Sequence, residues 1–130
     1  MAEEHAMQPG TFCWMELMTR DIAAAKKFYA ELIGWKMTDQ NIAGSPYTTV
    51  TPPGAKQSVG GMMQMAGPEF EGIPPHWMPY IAVEDIDATA SKCTELGGTV
   101  KLAPRDVPNV GRFCVIEDPT GAVISLFQGP

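Results

Sequence analysis

Two stretches of this chain are copies of one another. Residues 21–34 read DIAAAKKFYAELIG and residues 85–98 read DIDATASKCTELGG. At a constant offset of 64, Asp21 meets Asp85, Ile22 meets Ile86, Ala24 meets Ala88, Glu31 meets Glu95, Leu32 meets Leu96 and Gly34 meets Gly98, six identities in 14 positions with no gap. Pro52-Pro53-Gly54-Ala55 also resembles Pro119-Thr120-Gly121-Ala122. A repeat of this period means that one supersecondary unit of roughly 65 residues has been used twice, and any architecture has to accommodate both copies.

Each copy begins with an extended run, Thr11–Met18 in the first and Trp77–Glu84 in the second, and each run leads into a helix. Asp21 and Asp85 stand where a side-chain oxygen can accept from orphan amides of a first helical turn. In the first helix Ile22, Ala25, Tyr29 and Leu32 recur at helical spacing, with Phe28 and Ile33 widening the apolar stripe. Gly34 and the Gly97-Gly98 pair stand where a left-handed residue ends a helix. Short strand-like runs follow, at Trp35–Thr38, Tyr47–Thr51 and Gln57–Met65, then at Thr99–Leu102, Arg112–Glu117 and Ala122–Gln128. Gly44-Ser45-Pro46, Pro52-Pro53-Gly54, Pro108-Asn109 and Pro119-Thr120-Gly121 mark turns. The order is βαβββ, twice. The first unit is placed at residues 10–65, the second at 76–128, and Ala66–Pro75 (AGPEFEGIPP) between them as a linker or lid.

The chain has 130 residues, which one domain accommodates. Its net charge of −6 offers no basic footprint, so nucleic acid is not expected as a partner. No apolar run reaches the roughly 20 residues that span a bilayer, and MAEEHAMQPG lacks the basic start and apolar core of a secretory signal. Cys13, Cys93 and Cys114 form no CxxC pair and are odd in number, which reads as reduced thiols in a cytoplasmic protein.

The Asp-capped helix ending FYAELIGW, the second helix beginning VEDIDA and ending LGG, and the closing EDPTGAVISLF, in this order and with the repeat, resemble the vicinal oxygen chelate superfamily. That group takes in glyoxalase I, extradiol dioxygenases, fosfomycin-resistance enzymes and bleomycin-resistance binding proteins. The resemblance runs from about Gly10 to Gln128. It implies an α+β fold in which two βαβββ units form curved mixed sheets around a concave cavity, with the helices outside, and a chain that pairs as a homodimer. It also implies a divalent metal that holds two neighbouring substrate oxygens as a Lewis acid.

The resemblance places metal ligands at particular positions, and here they are not ligands. Seven residues before each helix-starting aspartate stand Trp14 and Met78. Four residues after Gly121 stands Ser125. The remaining position lies on the run Gly60-Gly61-Met62-Met63-Gln64, whose register is open, and none of these residues is His, Glu, Asp or Cys. An indole has no available lone pair, a thioether suits hard divalent ions poorly, and a lone hydroxyl binds weakly. No metal and no other cofactor is therefore expected.

Side chains alternate along a strand. With Trp14 facing the cavity, Phe12, Glu16 and Met18 face it too, while Cys13, Met15 and Leu17 face the helices. His76, Met78, Tyr80 and Ala82, and Val123, Ser125 and Phe127, are expected inward in the second unit. The predicted lining is Phe12, Trp14, Glu16, Met63, His76, Met78, Tyr80, Ser125 and Phe127: apolar walls with a few polar groups, the composition of a small-molecule pocket. Glu16 has two readings, a strand residue hydrogen-bonded to a neighbour such as Tyr80, or a general base whose pKa the apolar walls raise. His76 reads as a rim histidine, Trp77 as core, and the direction of Arg112 is open.

The leading functional expectation is a homodimer that binds a small organic molecule without the family's metal. The alternative is a glyoxalase-like lyase or isomerase, or a dioxygenase-type enzyme, that uses Glu16 as base or builds an unorthodox metal site from Glu16 and His76. A third is an interaction module that makes its contact through Ala66–Pro75.

Overall fold

Both helices start on an aspartate that caps them. In the computed structural model, which describes residues 8–42 and 44–130, the Asp21 carboxylate accepts from the Ala24 amide at 3.0 Å and that of Asp85 from the Ala88 amide at 3.1 Å. Each cap satisfies one of the amides that a first turn leaves without an intrahelical partner. A second device repeats at the same offset of 64. The Gln64 side-chain oxygen accepts from the Ile22 amide at 3.4 Å, and that of Gln128 from the Ile86 amide at 2.8 Å. The last strand of each unit thus ends on a glutamine that ties it to the start of that unit's helix.

The elements in chain order are β1 (Phe12–Thr19), α1 (Ile22–Ile33), β2 (Lys36–Ile42), β3 (Ser45–Thr51), β4 (Gly60–Gln64), β5 (His76–Ala82), α2 (Ile86–Glu95), β6 (Thr99–Val107), β7 (Gly111–Glu117) and β8 (Val123–Gln128). This is the βαβββ order written twice. The strands differ in detail from the sequence expectation. β2 runs on to Ile42 and β6 to Val107, and β3 already begins at Ser45, because Asn41 and Ile42 find ladder partners in Pro46 and Ser45. The stretch Ala66–Pro75 holds a short 3₁₀ turn at Pro68–Phe70, and the Arg20 guanidinium donates to the Phe70 carbonyl at 2.6 Å.

The chain divides into two compact units. The first is Trp14–Met78; the second joins residues 8–13 to Pro79–Pro130. In the first the strand order is β2-β3-β4-β1, with β1 parallel to β4 and the other neighbours antiparallel. The register pairs Leu17 with Met62 and Met62 with Thr48. Leu17, Met62 and Val50 are buried on the helix side, where Ile22, Ala25 and Tyr29 of α1 pack on them with Met37, Trp35 and Trp77. Tyr29, Trp35 and Trp77 form a ring cluster with centroids 5.1–5.8 Å apart. Trp77 is core, as expected. Burying Leu17, Val50 and Met62 contributes roughly 1.5–3 kcal/mol each.

In the second unit the order is β5-β8-β7-β6, with β5 parallel to β8. Cys114 and Leu126 are buried under Ile86 and Ala90 of α2, with Ile81, Val83, Val100 and Ile116 around them. Arg112 points to this side, where it pairs with Asp87 at 2.8 Å and Asp106 at 3.1 Å. The segment before β1 also belongs here: the Gly10 amide donates to Ala82 O at 2.8 Å and the Ala82 amide to Thr11 O at 2.9 Å.

The turn into β8 is held by one carboxylate. Asp118 accepts from the Thr120 hydroxyl at 2.6 Å, the Thr120 amide at 2.8 Å and the Ala122 amide at 3.1 Å. These bonds, that from the Thr120 hydroxyl foremost, hold its pKa below the ordinary carboxylate value. A lowered folded-state pKa means stability that is present above the unfolded value of about 3.9 and is lost as pH falls through the folded one. Asp118→Asn should therefore lower the urea midpoint at pH 7, and the gap from wild type should close as the pH is taken below 4. A gap that stays constant across that range would show that the charge is not what the turn uses.

Candidate functional site

The helix-side burial of Leu17 and Met62 turns Glu16, Gly61 and Thr49 to the opposite face, where the register pairs them in one row. Gly61 decides what that row can hold. A Cβ built on it would lie 2.1 Å from Tyr47 Oη and 2.4 Å from two carbons of its ring. The ring of Tyr47, from β3, therefore lies across the bare backbone of β4, and its hydroxyl reaches β1 beyond. There it donates to Glu16 Oε2 at 2.7 Å and accepts from Trp14 Nε1 at 2.8 Å.

With Glu16 ionised, the proton order in this chain has one solution. An indole N–H only donates, so Tyr47 Oη accepts from Trp14, and its own proton goes to the carboxylate. The result is a directed chain, Trp14 to Tyr47 to Glu16, on a carboxylate only 7% exposed. Buried polar groups of this kind survive only when partnered. Tyr47 is thus a partner of Glu16 that the sequence reading did not offer. On the same face Thr49 is held by Gln40 Nε2 at 3.1 Å and donates to Thr38 O at 3.3 Å. Met18 is buried and Met63 half-buried beside this row.

His76 and Met78 stand on β5 with Trp77 between them on the helix side. Met78 is buried. His76 Nδ1 lies 2.8 Å from Pro74 O. A carbonyl only accepts, so Nδ1 donates to it.

In the second unit Tyr80, Ser125 and Val115 form one row and Ala82, Phe127 and Phe113 the next, all on the face away from α2. The rings of Tyr80 and Phe113 lie 6.5 Å apart. Phe12, at the entry to β1, is 65% exposed. The nine predicted lining residues are therefore divided between the units: Trp14, Glu16, Met63, His76 and Met78 in the first, Phe12, Tyr80, Ser125 and Phe127 in the second. One cleft, of about 270 Å³, opens on the helix side of the second sheet. It is lined by Lys92, Cys93, Leu96, Ile116 and Pro119 among others and contains none of the nine. Burial pushes the Cys114 thiol up to about 11, which removes it as a nucleophile near neutral pH.

Two site residues escaped the sequence reading, Tyr47 and Gly61. The signal for both was a glycine pair inside a strand, which marks a close approach by another group.

The residues at the expected ligand positions do not fit a divalent metal. Trp14 spends its only polar hydrogen on Tyr47. Gly61, the partner of Glu16 on β4, has no side chain, and its neighbour on that face, Met63, offers a thioether. Among the described residues no three His, Cys, Asp or Glu side chains come together. No helix among them is long and apolar enough to cross a membrane.

Residues 11–126 match the family model of the Glyoxalase/Bleomycin resistance protein/Dioxygenase superfamily. The chain is 38% identical to CFP32 of Mycobacterium tuberculosis, whose name suggests a glyoxylase, over 98% of this chain and 49% of that protein. It is 32% identical to the anthracycline biosynthesis protein DnrV of Streptomyces peucetius, over 92% of this chain and 47% of that one. The chain thus spans about half the length of these relatives. Among solved structures, methylmalonyl-CoA epimerase from Mycobacterium tuberculosis has the same fold, with a TM-score of 0.63 at 15% identity, covering 98% of this chain and 95% of that one.

The stacking of Tyr47 on Gly61 makes a sharp prediction. Gly61→Ala should displace the ring and break both bonds, and Tyr47→Phe should break them without moving it. Each should cost about 1–3 kcal/mol, because Glu16 loses a partner while buried. In a double-mutant cycle by urea unfolding, Tyr47→Phe and Glu16→Gln should couple by at least about 0.5 kcal/mol; additive effects would mean that the 2.7 Å contact carries no energy.

Proposed function

Because the chain belongs to the Glyoxalase/Bleomycin resistance protein/Dioxygenase superfamily, we propose that it binds a small organic molecule on the Glu16 face of its first sheet without the metal usual in that family. The observation that carries this reading is the hydrogen-bonded chain from Trp14 through Tyr47 to Glu16. A buried carboxylate is costly, and a structural role could be filled by an apolar pair at lower cost. Held rigid by a phenol and an indole, the carboxylate is a fixed acceptor for a ligand hydroxyl or amine, and its position is set before the ligand arrives. Trp14, Met18 and Met63 give it an apolar surround, and thioethers adapt to ligands of varied shape.

The names of the relatives support small-molecule work. One is named for anthracycline biosynthesis and another as a glyoxylase. By the same resemblance we infer that the chain pairs as a homodimer. Cys13, Cys93 and Cys114 are free thiols, which supports a reducing, cytoplasmic setting.

A second reading is favoured by the same carboxylate. As a general base, Glu16 would take a proton from carbon next to a carbonyl, and Tyr47 would hold it in place. Its requirement is a substrate C–H within about 3 Å of the carboxylate. Binding is preferred because it needs only the fixed acceptor that the Tyr47 bond provides, and no further group.

The test follows tryptophan emission during titration with an anthracycline. Trp14 is the tryptophan on this face, since Trp35 and Trp77 lie in the helix-side core. Saturable quenching is expected in wild type and should be lost in Trp14→Phe. Glu16→Gln should weaken binding roughly 10- to 100-fold, the worth of a hydrogen bond to a charged group. Wild-type affinity in Glu16→Gln would sink the proposal, as would binding that vanishes when a stoichiometric metal is chelated away. Turnover of the ligand abolished by Glu16→Gln would favour the base instead.

A further inference from the structure

We infer that Ser125 is a ligand contact on the second sheet, where its hydroxyl selects aromatic molecules that carry a neutral hydrogen-bonding oxygen. The inference rests on the reading that the chain binds small organic molecules, but its observation is separate. Ser125 is 1% exposed, and its Oγ has no hydrogen-bond partner among the described residues.

A buried hydroxyl without a partner costs free energy, and alanine at the same place would not. Nothing in the strand requires a serine. The backbone of β8 pairs with β5 through Tyr80 and with β7 through Val115 whatever the side chain between them. The neighbours on the helix side, Cys114 and Leu126, are on the other face and gain nothing from it. Among the described residues the cost therefore has no return.

The surroundings say what could supply the missing partner. Tyr80 and Val115 flank Ser125 in its row, and Phe113 and Phe127 stand in the next. The rings of Tyr80 and Phe113 are tilted at 55° with centroids 6.5 Å apart, and both are only partly buried. Such walls suit a flat aromatic body. A hydroxyl among them both donates and accepts, so it pairs with a phenol or a ketone oxygen alike. No charged partner is called for, since neither a carboxylate nor an ammonium would find its counterion in Ser125, Tyr80, Val115, Phe113 or Phe127. Because Oγ is covered, a ligand reaches it only where a neighbouring side chain gives way.

Two measurements on Ser125→Ala test this, with Ser125→Cys as the second variant should alanine fold poorly. The first is urea unfolding without ligand. The variant should be as stable as wild type or more so, because it removes an unpaired buried group; a lower midpoint would mean that the hydroxyl is already satisfied, and would overturn the inference. The second is calorimetric titration with 2-naphthol and with naphthalene, which differ by one hydroxyl. Wild type should prefer 2-naphthol, and Ser125→Ala should lose about two- to tenfold in its affinity for it, the worth of one neutral hydrogen bond. Naphthalene should bind both proteins alike. If wild type binds 2-naphthol or an anthracycline and Ser125→Ala binds it as well, the role of Ser125 is wrong while the binding reading stands. If wild type binds none of these, both fall together.

Discussion

Burial of Met62 against the first helix governs the whole first unit. Side chains on a strand alternate, so fixing Met62 on the helix side fixes Gly61 and Met63 on the other. Pairing with Leu17 carries the same choice to β1, and places Glu16 and Trp14 opposite the core. A slip of one residue would drive the carboxylate into the cluster of Tyr29, Trp35 and Trp77 and bring Leu17 out to face Tyr47. The polar chain is thus positioned by apolar packing on the face it never touches.

The duplication has copied the scaffold and not the chemistry. Aspartate caps, the glutamine ties of Gln64 and Gln128, and the parallel pairing of first and last strand recur in both units. The sides of the two sheets that face away from the helices do not match. The first carries an ionisable group hydrogen-bonded to a phenol, and the second a neutral hydroxyl with no partner among the described residues. Features shared by the halves are those that folding needs from each unit separately. Features that differ have no such constraint, which is why chemistry is to be sought among them.

How much of this was legible in the sequence depended on range. Caps and turns rest on neighbours in the chain, so Asp21, Asp85 and Gly34 could be placed from local chemistry, whereas the facing of the strands, Trp77 included, came from the ligand positions that the resemblance implies. The element order followed from the repeat. Glu16 stood out because a carboxylate in an apolar run demands an explanation. Its bond to Tyr47 was not visible, because Tyr47 lies 31 residues away and reaches it by crossing an intervening strand. Ser125 could be placed on its face, yet the missing partner of its hydroxyl could not be read, since an absence of contacts emerges only from packing. The division of the lining between two units followed from the repeat, but not its boundary, which joins Phe12 to the second compact unit and His76 and Met78 to the first.

Gly61 and Tyr47 depend on each other in a way that reaches beyond this chain. A side chain at 61 excludes the phenol from where it lies, and a glycine at 61 without the phenol leaves a strand weakened for no purpose. The two should therefore be gained and lost together. Among related proteins, a glycine at one position and a tyrosine at the other form a two-residue fingerprint that identifies those with the same anchored carboxylate, whatever activity their names assign.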